Sequence, residues 1–382
     1  MKKTSVKSMK KAEKTTAKPT TTKSPTVRLT TSDGGANDAI VTAAFGQKNR
    51  IRLLNEYFAS LPTQKLPGPA WTHVYRLLLW TDQTTGLAHC YESDKTQPGK
   101  PWYARTLAFH GWLAGELNSS PGKVSEQIDW MFQKAAGELA AHVVHRSKTL
   151  LVAASRQRQP FEGKDFPSPG EDPKLVAIVK QVLGSHLTDP SPEKWRELVQ
   201  RIRQYLTLDN KRKNLLGEGF EDVLGTLVER SCPPTFKVHI RRPLPELPGF
   251  NPLTGGGKPN RVDLAIIRPN RTRILVTSKW SVRADREKQF VVDYGDYIKA
   301  NSNGKAFEYV FVTNEFDPAR LMRACDNLAG NAQMFTHVVH VNTDALRATY
   351  GTGQEESMRK VLDFIDTGRL ISLDQWLRLL AK

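Results

Sequence analysis

Asp263, Thr277 and Lys279 lie in one stretch, Arg261–Phe290, with the sequence RVDLAIIRPNRTRILVTSKWSVRADREKQF. It opens on alternating apolar residues that carry a single acid, Asp263. A turn signal, Pro269-Asn270-Arg271-Thr272, separates them from a second β-branched run, Ile274–Lys279, that ends in a lysine. Two short runs split by proline and asparagine predict a β-hairpin. With the turn centred near Asn270-Arg271, Asp263 is expected opposite Ser278 or Lys279. Period-two alternation sets Thr277 and Lys279 on one face of the second strand. A carboxylate and an ammonium at neighbouring strand ends are the ingredients of a site that binds a metal and moves protons. Directly afterwards, Trp280-Ser281-Val282-Arg283-Ala284-Asp285-Arg286 brackets one carboxylate with two guanidiniums.

Other elements must hold these groups. Upstream, Leu215–Arg230 has Phe220, Leu224, Leu227 and Val228 at helical spacing, with Glu221 beside that stripe and Glu218 one turn earlier. Phe236–Arg241 reads as a strand, and Pro243–Pro259 as a long Pro/Gly loop. Downstream, Glu287–Ala300 reads as a helix carrying Asp293 and Asp296. Phe307–Thr313 and His337–Val341 read as strands, and Ser357–Phe364 and Leu373–Leu380 as packing helices. This order predicts an α/β chain, an α+β mixed sheet with helices on its faces.

The string SKWSVRADR resembles the K-W-x-x-R-x-D-R signature of type II restriction endonucleases that cut sites containing CCGG. An acid on one strand followed by x-K on the next resembles the PD-(D/E)xK nuclease fold to which they belong. The likeness covers roughly residues 215–300. In that family the carboxylate two residues before the lysine is often replaced by Ser or Thr, and a compensating acid lies on the following helix. The resemblance therefore implies a restriction-endonuclease-like core with Asp263 and Asp293 as metal ligands, Lys279 at the scissile phosphate, and Thr277 in the replaced position. Asp293 lies fourteen residues after Lys279. It is one methylene shorter than the glutamate usual there, and Asp296 is the alternative. Glu221 matches the glutamate of the family's first helix, with Glu218 as runner-up.

The implied chemistry is phosphodiester hydrolysis. Mg²⁺ suits it, because that ion takes one or two carboxylates plus waters and can activate a water and stabilise a leaving oxygen. Arginine can donate two parallel hydrogen bonds to guanine, and aspartate can accept from cytosine N4. Arg283, Asp285 and Arg286 would thus read G·C pairs. Two copies about a two-fold axis, as a homodimer or within a homotetramer, would read a palindrome. A cognate DNA methyltransferase would protect the same site. The plain alternative for the RADR segment is a surface ion-pair patch. Two further readings stay open: a structure-directed or repair nuclease of the same fold, and a catalytically degenerate DNA-binding protein, which Thr277 would suit.

Composition agrees with an anionic partner. The 382 residues carry a net charge of +17, and the pI is about 9.7; nucleic acid is the expected polyanion, and the resemblance implies double-stranded DNA. Cys90, Cys232 and Cys325 are scattered and odd in number, which supports neither a disulfide scaffold nor a zinc site and fits a reducing cytoplasm; the resemblance implies a prokaryotic one. No apolar run reaches eighteen residues, so no membrane span is expected, and the N-terminus lacks the apolar core of a secretory signal.

Residues 1–32 hold nine basic residues and one acid among Thr, Ser and Pro. They are expected to be disordered, serving as a basic arm or a solubilising tail. Residues 33–206 predict a mainly helical domain, with helices over Ala39–Leu61, Trp71–Trp80, Arg105–Leu117, Ser125–Lys148 and Ser191–Leu206. His142 and His145 in that region have no third ligand in view. Residues 207–382 are expected to form the nuclease domain.

Overall fold

The computed structural model of the protein describes residues 41–61, 66–81, 88–89, 101–139, 141, 192–253, 260–282, 287–302, 304–351, 353 and 355–382. The expected basic tail 1–32, His142, His145, and the base-reading candidates Arg283, Asp285 and Arg286 lie outside them.

The β-branched and leucine-rich runs form the middle of a six-stranded mixed sheet. Its strands are β1 (Lys237–Pro243), β2 (Arg261–Ile267), β3 (Arg273–Lys279), β4 (Phe307–Thr313), β5 (His337–His340) and β6 (Leu370–Ser372). Sheet order equals chain order. β1, β2 and β3 form an antiparallel meander, and β3 through β6 run parallel. Leu264, Ala265 and Ile266 on β2, Ile274 to Val276 on β3 and Val310 to Val312 on β4 are all buried. Such continuous apolar runs require cover on both faces. Fully burying one Val, Ile or Leu side chain contributes about 1.5–3 kcal/mol, so these strands dominate the driving force for this part of the chain.

After a helical stretch at 41–45, the named helices are α1 (Gln47–Ala59), α2 (Ala70–Leu78), α3 (Pro101–Glu116), α4 (130–139), α5 (Pro192–Ser231), α6 (Glu287–Ala300), α7 (Pro318–Asp326), α8 (Thr343–Tyr350), α9 (Glu356–Asp366) and α10 (Leu373–Ala381). α10 begins with a capping box, Ser372 and Gln375 satisfying each other's backbone N–H groups. The expected helix over Ala39–Leu61 is interrupted at Gly46, which precedes α1 as its N-cap. The expected helix over Ser125–Lys148 is split: a 3₁₀ turn covers Pro121–Glu126, and Asp129 adopts a left-handed φ of 60° just before α4.

The largest difference is α5. Two separate helices, over Ser191–Leu206 and Leu215–Arg230, were expected; the chain forms one helix of 40 residues. The joining residues, TLDNKRKN, contain neither glycine nor proline, so nothing stops the first helix from propagating. The expected domain boundary at 206/207 falls inside it, and Ile40–Lys382 forms one compact unit. Helices α1, α2 and α10 pack on α5, which in turn packs on β1, β2 and β3.

Gly225 permits that last contact. A Cβ there would stand 2.4 Å from Cδ1 of Ile240 and 2.7 Å from its Cγ1, so only glycine lets the helix lie this close to β1. None of the described helices is long and apolar enough to cross a membrane.

Candidate active site

The hairpin turn decides which residues meet. Arg271 donates its N–H to the Arg268 carbonyl over 2.8 Å and then takes a left-handed φ of 65°. A type I turn followed by one left-handed residue adds a residue to the loop. The centre therefore falls on Asn270, with Ile267 paired to Arg273 and Leu264 to Val276. Continued by one step, this register sets Asp263 against Thr277, not against Ser278 or Lys279 as expected. The ladder ends there. On the other side, β1 pairs Ile240 with Leu264 and Arg242 with Val262 but skips Arg241 and Asp263 between them.

Asp263 thus sits where regular pairing lapses on both sides, and its side chain takes over. Oδ2 accepts the Ser278 N–H at 2.8 Å, the Lys279 ammonium at 2.7 Å and the Thr277 hydroxyl at 3.3 Å. The carboxylate replaces a main-chain acceptor for the opening strand and draws Lys279 beside itself.

Glu221 and Asp293 approach from two helices. Glu221, on α5, is pushed up to about 7 by burial first and by the Asp263 charge second; a hydrogen bond from Arg241 and the Lys279 charge oppose the shift. Asp293, on α6, is raised by burial and, to a smaller extent, by Asp263, against a hydrogen bond from Gln289. The acids are therefore within electrostatic reach of one another. Glu218 turns elsewhere, its exposed carboxylate paired with Arg50 at 2.6 Å.

Between Asp293 and Asp296, the fields of Asp263 and Lys279 act on Asp293. Asn260 holds both, its Nδ2 donating to Asp296 Oδ2 at 2.7 Å and to Asp293 Oδ1 at 3.4 Å. Beneath them the buried phenols of Tyr297 and Tyr309 are held well above their ordinary range, by burial first and by the surrounding negative charges after it.

Among the described residues, no group of three or more His, Cys, Asp or Glu side chains has the geometry to hold a metal by itself. Mg²⁺ needs only one or two carboxylates, completed by waters. The donor set fits that demand: Asp263 and Asp293 offer oxygen ligands, and their mutual repulsion is what a divalent cation relieves.

The exit from β3 is clamped. Trp280 packs its ring edge-to-face on Phe220 at 5.4 Å, and its carbonyl accepts the Asn314 N–H at 3.1 Å. The Val282 N–H donates to Glu315 Oε2 at 2.6 Å. Glu315 is fully buried and also accepts the N–H groups of Phe316 and Asp317 through Oε1. Burial raises its carboxyl, while the backbone donors from Val282 and Asp317 pull it back down.

Sequence reasoning missed Arg50, Asp222, Arg241, Asn260 and Glu315. Arg241 closes the run Phe236–Arg241, whose pattern announces a strand but no role for its last residue. Arg50, Asp222 and Asn260 gave no local signal, because their side-chain partners are remote in sequence, and Glu315 gave none because the strand exit that it clamps at Val282 is remote.

No protein-family model matches the chain, and no curated protein matches it significantly.

Proposed function

We propose that the protein is a Mg²⁺-dependent type II restriction endonuclease with a PD-(D/E)xK core, hydrolysing double-stranded DNA at a palindrome that contains CCGG. One observation carries the reading. Glu221 from α5, Asp263 from β2, Lys279 from β3 and Asp293 from α6 converge where the hairpin opens, and the order helix, three-stranded meander, helix, parallel strand accords with that core. The excess of basic residues supports DNA as the partner.

Asp263 and Asp293 would hold the metal, with Glu221 orienting the shell. When bound, Mg²⁺ would supply an activated water and neutralise charge on the phosphate. The remaining steps belong to this chain. Lys279, whose side chain is 26% exposed, can swing from Asp263 to a phosphate oxygen and stabilise the charge that builds there. Thr277, beside Asp263, can hydrogen-bond to a water in the same shell. Its hydroxyl brings no charge, so Asp293 stands in for the missing acid.

Arg283 and Arg286 would read guanine and Asp285 cytosine. Their segment follows directly in sequence on the clamped Trp280–Val282. A homodimer or homotetramer in the prokaryotic cytoplasm, working beside a cognate methyltransferase, completes the reading.

Binding measured in Ca²⁺ on CCGG-containing and scrambled duplexes tests recognition. Arg283→Ala is expected to cost about 1–3 kcal/mol of discrimination. An equal loss on both duplexes would make Arg283 a phosphate contact and remove this base-reading role.

A further inference from the structure

Asp222, on α5 next to Glu221, joins two arginines from elements far apart in sequence, Arg50 on α1 and Arg241 on β1. Arg50 on α1 donates Nε to Asp222 Oδ2 at 2.7 Å, Nη1 to the Phe45 carbonyl at 2.9 Å and Nη2 to Glu218 at 2.6 Å. Arg241 on β1 grips the other oxygen of Asp222 through Nη2, while its Nη1 donates to Glu221 Oε2 at 3.0 Å. Arg50 and Asp222 are 3% and 1% exposed. A charge this deep is tolerated only when its partners are fixed around it, and removing one partner strands the others.

The backbone is bent to make this contact. Ile240 packs against α5 at Gly225, so strand alternation would turn Arg241 away from that helix. A left-handed φ of 51° brings its side chain round to α5 instead. Such a conformation in a non-glycine residue persists only where the surroundings hold it. Arg241 is also the residue set against Asp263 where β1 and β2 leave their pairing.

We propose that Arg50 is a positioning residue of the candidate active site: it fixes Asp222, which fixes Arg241, which holds Glu221 toward Asp263. The helical N-terminal half would then complete the acid cluster and not merely flank it. The role given to Glu221 rests on the nuclease reading above; the coupling of Arg50 to Arg241 does not.

The test uses the full chain with Arg50→Met and Arg50→Lys. Arg52→Met serves as control: it lies on the same helix as Arg50, and its exposed side chain pairs with Glu56 of α1 and Glu138 of α4. Two readouts are taken without DNA: the side-chain Nε–H resonance of Arg241 by NMR, and Mn²⁺ affinity by electron paramagnetic resonance. Arg50→Met is expected to displace the Arg241 resonance and weaken Mn²⁺ binding by about 10- to 100-fold, as removal of an outer-shell partner does. Lysine should restore only part, since it keeps the charge but not the planar fork. Arg52→Met should change neither.

An unchanged Arg241 resonance in folded Arg50→Met overturns the coupling. A displaced resonance with unchanged Mn²⁺ affinity overturns the positioning role. Should the wild-type protein bind no Mn²⁺ and cut no DNA, the nuclease reading fails, and the resonance alone decides the coupling. If Arg50→Met does not fold, Arg50→Lys, which keeps the charge and loses the planar fork, carries the same comparison.

Discussion

Lys279 Nζ stands 2.7 Å from Asp263 Oδ2 at the point where the β2–β3 pairing ends. Both side chains remain partly open to solvent, and an ion pair of that kind contributes about 1 kcal/mol or less to stability. On the proposed function its value lies in the reaction, where it would park an ammonium beside the proposed metal ligand. Lys279→Ala is expected to lower single-turnover DNA cleavage on the order of 10²–10³-fold, with specific DNA binding in Ca²⁺ retained. Full turnover by the folded variant would remove Lys279 from the mechanism.

Glu221 makes the acid cluster pH-sensitive. Its carboxyl is raised from 4.5 to about 7, so the folded protein binds this proton more tightly than the unfolded chain does. The stabilisation is fully present below the unfolded value and is lost as pH rises through about 7. Glu221→Gln lacks this contribution. In EDTA, wild type should lose on the order of 2–3 kcal/mol relative to Glu221→Gln between about pH 4.5 and 8. Urea unfolding at several pH values reads the difference, and parallel profiles would contradict it.

How much of this was legible in the sequence follows from the range of the interactions. The hairpin, the strands β4 and β5, and helix α6 are local patterns, and their apolar spacing announced them. Asp263, Thr277 and Lys279 lie on that hairpin, so their meeting was readable to within one residue of register. The missing residue is Arg271, whose left-handed backbone no rule on proline or asparagine specified. The two expected helices merge into α5 because the polar link between them, TLDNKRKN, holds no glycine or proline to break it. Arg50, Asp222 and Arg241 were illegible for a different reason: each is an ordinary charged residue until a fold brings α1, α5 and β1 together.

Glu315 offers a test of the clamp beyond β3. An ionised carboxylate can accept all three N–H groups from Val282, Phe316 and Asp317. Glu315→Gln turns one acceptor into a donor that faces a backbone N–H. The expected cost is about 1–3 kcal/mol of stability, measured by thermal or urea unfolding. If Trp280–Val282 anchors the reading segment, the same variant should also lose discrimination between CCGG and scrambled duplexes. Unchanged stability and discrimination would show that the clamp is dispensable.

The most direct measurement is digestion of unmethylated plasmid DNA by the full chain in Mg²⁺, followed by sequencing of the fragment ends. The account predicts discrete fragments whose ends share one palindrome containing CCGG. A smear without a common terminus, or tight binding with no cutting in Mg²⁺ or Mn²⁺, would contradict it.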